Sequence, residues 1–125
     1  MIETKTANIY IEENVIYLIY KDKADVDIDE IEENIAVKTK LQDGKAMKTL
    51  VDVTGVWQYS NEAREIVSSK RFKKITIAMA VVVGYSLPLK MVANFFIKIN
   101  KPLTPTKLFN SKKDAQDWLK LQKHM

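Results

Sequence analysis

The run ITIAMAVVV at residues 75–83 limits the fold more than any other stretch of this chain. It is far shorter than the roughly 20 apolar residues a membrane helix needs. It also lacks the apolar–polar alternation of a strand with one wet face. A strand covered on both sides fits, which means a sheet sandwiched between layers of helices. The segment MKTLVDVT at 47–54 has the same character, and the 75–83 run, as the more hydrophobic of the two, is expected at the sheet centre.

The remaining punctuation supports that architecture. ANIYIEE (7–13) and VIYLIYK (15–21), rich in β-branched and aromatic residues, read as a hairpin turning at Glu13-Asn14. Asp27-x-x-Glu30 is a capping box for a helix to about Gln42, with Ile28, Ile31 and Ile35 on one face and Asp43-Gly44 as its stop. Ser60 caps a short helix bearing Ala63, Ile66 and Val67, and the basic KRFKK (70–74) links it to the next strand. Ser86 caps a further helix, with Pro88 in its first turn and Val92, Phe95, Phe96 and Ile99 at i, i+3, i+4 and i+7 as its core face. TKLF (106–109) is a last strand, and Ser111-x-x-Asp114 caps a last helix with Ala115, Trp118, Leu119 and Gln122 inward. The order is ββαβαβαβα. It predicts one α/β domain over residues 1–125, with a mixed, mostly parallel five-stranded sheet and helices on both faces.

Composition narrows the function. Apolar residues make up 46% of the chain and charged residues 29%, an ordinary globular balance. The absence of cysteine removes disulfides and thiolate chemistry. The N-terminus lacks the pattern of a signal peptide, so a cytoplasmic location is expected. Residues 1–66 carry 8 Lys/Arg against 14 Asp/Glu, and residues 67–125 carry 12 against 2. Such polarity suits an acidic partner, a membrane surface or self-association, although lysines that solubilise helix faces give the same pattern. Lys70, Arg71, Lys73 and Lys74, and the row Lys90, Asn94, Lys98 and Lys101, read as solvated faces; only Phe72 interleaves them, which argues against nucleic acid. His124 is the sole histidine and lies next to the C-terminus, so no nucleophile has a positioned base. Asp22, Asp25, Asp27, Asp29 and Glu30 are dense, but they lack calcium-loop spacing. The expectation is a protein that is not an enzyme, with no catalytic residue, no cofactor, no metal and no integral membrane segment.

In open α/β sheets, ligands bind beyond the carboxyl ends of the strands. That rule selects Thr54, Trp57, Tyr59, Ser60 and Asn61 after one strand and Tyr85, Ser86 and Lys90 after the next, as partner- or ligand-binding candidates. The plainer alternative is that they are caps and turn residues.

The corner Asp52-Val53-Thr54-Gly55-Val56 resembles that of the STAS domain of bacterial anti-sigma-factor antagonists and the related SEC14-like group. Ser60 stands where that family has an aspartate, and Asn61 where it has a phosphorylatable serine; Glu62 and Ala63 replace the following Ser/Thr and Gly. NFFIKINKPLTPTKLFNSKKDAQDWL (94–119) is similar to small bacterial STAS/SEC14-like proteins. The resemblance implies a STAS-like fold and a non-catalytic protein-interaction module of bacterial signalling. Its partner would be another regulator or a second copy in a homodimer, and its serine switch would be missing, since asparagine has no hydroxyl. The alternative it implies is a small-molecule or lipid carrier, with an apolar pocket built from Met91, Phe95 and Phe96.

Overall fold

The structure, a computed structural model, describes residues 1–122. Strands β1 (Ile2–Glu3), β2 (Ala7–Glu12), β3 (Val15–Tyr20), β5 (Met47–Asp52), β7 (Thr76–Val82) and β8 (Thr106–Phe109) form one sheet, ordered β1-β2-β3-β5-β7-β8. The first three pair antiparallel; β3, β5, β7 and β8 run parallel. Two shorter strands, β4 (Ala24–Val26) and β6 (Val56–Tyr59), pair parallel in a separate ribbon. The helices are α1 (Ile28–Leu41), α2 (Asn61–Val67), α3 (Lys70–Lys74), α4 (Leu87–Asn100) and α5 (Lys112–Leu121). Among the described residues no helix is long and apolar enough to cross a membrane.

The unbroken apolar run of β7 is explained by two cores. Met79 and Val81 face one core with Ile9, Leu18, Val51, Ile31, Ile35, Phe72 and Phe96. Ala78, Ala80 and Val82 face the other with Tyr17, Leu50 and, from α5, Ala115 and Leu119. From Ala78 to Val82 successive side chains therefore leave water on opposite faces with no polar position among them, and Thr76 at the start of the strand has its hydroxyl bonded to Lys38. The hairpin turns on Glu13 and Asn14, both at positive φ (50° and 65°), the conformation a two-residue connection favours. Tyr10 and Tyr17 pair directly across it and stack at 4.9 Å between ring centroids. Asp27 and Glu30 close the capping box of α1, while Ser60, Ser86 and Ser111 each accept a backbone N–H at the start of α2, α4 and α5.

Four expectations need correction. The main sheet has six strands instead of five, because Ile2–Glu3 adds an edge against β2; two residues are too few to show a period. β4 and β6 form a ribbon that alternation alone does not signal. KRFKK is the helix α3, begun by the Ser69 side chain and anchored by buried Phe72. β7 lies between β5 and the outer strand β8, so the centre falls to β3 and β5.

The inner face of α4 is also rotated from the expected one. Phe96 is buried, with Leu89, Ala93 and Ile97 packed beside it, whereas Val92, Phe95 and Ile99 are exposed. A helix that is apolar almost all round has no single stripe for periodicity to select.

Lys38 is the largest fully buried side chain, at 1% exposure. Its Nζ donates to the Ile75 carbonyl (2.9 Å) and to Thr76 Oγ1 (3.0 Å), tying the end of α1 to the start of β7, and it lies 5.2 Å from the centre of the Phe72 ring. Burial alone pushes its ammonium down to about 7, with no acidic side chain offsetting it.

Candidate functional site

Between the sheet and α1, α2 and α4 the packing leaves a cavity of about 170 Å³. Its walls come from the inward residues of β3, β5 and β7 (Leu18, Val51, Met79 and Val81), from Ile31 and Ile35 of α1, and from Leu89, Ala93 and Phe96 of α4. Trp57 and Gln58 of β6 and Val92 of α4 are its exposed lining residues, so the mouth lies between β6 and α4. The β4–β6 ribbon carries that rim, and Tyr59 reaches inward from it to Tyr20, edge to face, with the two hydroxyls 3.4 Å apart. Burial raises both phenols, Tyr20 to about 12 and Tyr59 well above its ordinary value, so both are neutral at pH 7. Arg64 of α2 borders the same space, and its Nη1 donates to the Tyr59 carbonyl at 2.6 Å.

A second, more open cleft of about 380 Å³ lies at the carboxyl ends of β5 and β7. It is lined by Thr54, Trp57, Gly84, Tyr85, Ser86 and Pro88, and shares Val56, Trp57, Leu89 and Val92 with the inner cavity. Thr54 is fixed on the cleft wall by Asp52, one carboxylate oxygen of which accepts both the Thr54 N–H (2.9 Å) and the Thr54 hydroxyl (2.7 Å).

The candidates read from sequence therefore divide. Thr54, Trp57, Tyr85 and Ser86 meet in the cleft. Trp57, 74% exposed, also stands at the cavity mouth, while Tyr59 turns inward as a lining residue. Ser60 accepts the Ala63 N–H (3.1 Å) as the helix cap, and Asn61 donates to Glu65 across the exposed side of α2 (2.9 Å); neither lines the cavity or the cleft. The Lys90 ammonium lies 5.9 Å from the centre of the Tyr85 ring and also stands outside both spaces. Of the apolar trio expected beneath α4, Phe96 lines the cavity but Met91 (71% exposed) and Phe95 (56%) face outward. His124 lies outside the described residues.

Sequence reasoning passed over Tyr20, Asn34, Lys38 and Arg64, all of which border the cavity. A signal existed for two of them. Asn34 and Lys38 continue the inward stripe of Ile31 and Ile35 at helical spacing, so polar groups occupy core positions there. Asn34 is held by Thr4, which donates to its Oδ1 (2.6 Å), and donates from Nδ2 to Thr6 (3.0 Å).

A family model described as a domain of unknown function, DUF7793, matches residues 9–123. The chain belongs to the DUF7793 family. Among solved structures, this DUF7793 chain is similar to an uncharacterized Shewanella loihica PV-4 protein from the DUF3478 family with a SpoIIAA-like fold. The identity is 21%, over 95% of this chain and 98% of that one, with a TM-score of 0.59. That likeness shows the STAS-like fold expected from the Asp52–Val56 corner. A protein with unknown function from Arthrobacter sp. FB24 matches at 25% identity over 91% of this chain and 99% of that one, with a TM-score of 0.36. No curated protein matches.

Proposed function

We propose that the domain is a non-catalytic binding module whose interior site, between the sheet and α4, takes a small and mainly apolar molecule. The cavity supports this reading, since close-packed interiors leave few voids larger than a water molecule. Its size sets the scale of the ligand. A cavity of roughly 150 Å³ engineered in another protein holds benzene, so about six carbons fit here. A long acyl chain does not fit, which weighs against a carrier of long-chain lipid.

An NMR titration with toluene tests the reading. The amides of Val81, Ala93 and Phe96 are expected to shift in the wild type, and Ala93→Phe, which adds a ring to the wall, is expected to abolish the response. Wild-type spectra unmoved by toluene, or shifts that persist in folded Ala93→Phe, contradict it.

A second reading rests on a different observation. Tyr85, Leu87, Met91, Phe95 and Ile99 expose large apolar side chains on and just before α4, with Trp57 across the cleft. Such a surface favours a protein partner, in keeping with a signalling module, and a second copy of the chain is one such partner. Sedimentation of the wild type beside Met91→Glu/Phe95→Glu tests the self-partner form, which predicts a dimer that the double variant dissociates. A wild-type monomer at high concentration rules that form out.

A further inference from the structure

The chemical class of the ligand follows from the charges around the cavity, and the inference rests on the cavity being the binding site. We infer that the cavity takes a small monocarboxylate, with the Arg64 guanidinium receiving the carboxylate and the apolar wall beneath α4 seating the tail. Two basic side chains line the cavity: Arg64, a permanent cation, and Lys38, an amine that burial leaves largely uncharged above pH 7. Among the described residues no aspartate or glutamate lines it, so the walls favour a negative charge on a ligand.

Of the two, Arg64 has the larger unused bonding capacity, with one of its five N–H donors engaged. Its Nη1 is committed to the Tyr59 carbonyl, which fixes the plane of the guanidinium. Its Nε is buried and has no hydrogen-bond partner. A buried donor on a charged group is costly without an acceptor. Arg64 takes part in none of the ion pairs among the described residues. A carboxylate matches a guanidinium edge with two parallel hydrogen bonds, which a hydroxyl or a carbonyl cannot do. Arg64 also stands near the mouth, beside β6, where a polar head can remain while the tail goes under Ala93 and Phe96.

Lys38 is placed differently. It sits at the amino end of β7, with two N–H groups spent on Ile75 and Thr76 and its charge over the Phe72 ring. Its position serves the closed end of the fold.

Binding of hexanoate and of hexan-1-ol at pH 7.5, followed by calorimetry and by NMR, tests the inference. The two probes share chain length and differ in the charged end. The wild type is expected to bind hexanoate at least tenfold more tightly than hexan-1-ol, and Arg64→Gln is expected to abolish that preference. In the wild type the Arg64 Nε–H resonance is expected to move with hexanoate and to stay with hexan-1-ol, a readout that needs no variant to fold. Equal affinity for acid and alcohol overturns the carboxylate assignment and leaves the cavity reading standing. Binding of neither overturns both. A preference that survives Arg64→Gln, or hexanoate binding that leaves the Nε–H resonance unmoved, overturns the role of Arg64.

Discussion

Lys38→Met is expected to stabilise the protein at pH 7 and to remove most of the rise in its stability between pH 7 and about 9.5. In the fold the Lys38 ammonium is pushed down to about 7 by burial, whereas in the unfolded chain it titrates near its ordinary value of about 10.4. The folded value is the lower one. Between the two values the unfolded chain binds a proton that the native chain does not, so stability increases with pH across that window. Below pH 7 both states carry the charge and the full cost of burying it is present. The shift corresponds to something on the order of 4–5 kcal/mol from this one side chain. Methionine keeps the length and polarisability of the stem and needs no proton. The Ile75 carbonyl still accepts from Gln42 Nε2 (2.9 Å) and from the Met47 N–H (3.3 Å), whereas the buried Thr76 hydroxyl loses the Lys38 donor, which offsets part of the gain. The comparison belongs below pH 10, because Tyr20 and Tyr59 have raised folded values and lower stability as pH rises beyond that point. Urea unfolding of both proteins at several pH values measures the effect. Parallel pH profiles for wild type and variant would show that Lys38 is not held uncharged by burial.

Gly55→Ala is expected to destabilise the domain by about 1–3 kcal/mol, the range for forcing extra atoms into a packed site, and to displace the cavity rim. A Cβ at residue 55 would stand 2.7 Å from the Lys21 carbonyl oxygen and 2.9 Å from its carbon. Both are backbone atoms at the β3–β4 connection, so no side chain can rotate aside. The turn carrying Gly55 leads from β5 into β6, which places Trp57 and Tyr59. A shift of that turn therefore reaches the mouth. Thermal unfolding measures the loss, and near-ultraviolet circular dichroism reports the surroundings of Trp57 and Tyr59. An alanine variant with unchanged Tm and an unchanged aromatic spectrum would show that the close approach carries no strain.

The same residues show what a sequence alone can disclose. Every N-terminal helix cap was legible except Ser69, because a serine or aspartate ahead of an apolar period has a local cause that needs no tertiary context. The sandwiched sheet was legible for a similar reason, since a strand whose central run, such as residues 77–83, has no polar position must be covered on both faces. The cleft was half legible, as the carboxyl ends of parallel strands can be placed from element order, and Thr54, Trp57, Tyr85 and Ser86 do meet there. The inner cavity was not. Whether Phe95 or Phe96 faces inward depends on how α4 is rolled against the sheet, and an all-round apolar helix leaves that to packing. Arg64 looks like any surface cation until the elements around it are assembled, whereas Lys38 shows only as a polar residue on the inward stripe of α1.

The apolar space beneath α4 is tested most directly by crystals of the wild-type protein pressurised with xenon. A xenon atom is expected between Ala93 and Phe96 on one side and Val51 and Val81 on the other. Xenon absent from that position, with those side chains closed together, would contradict it.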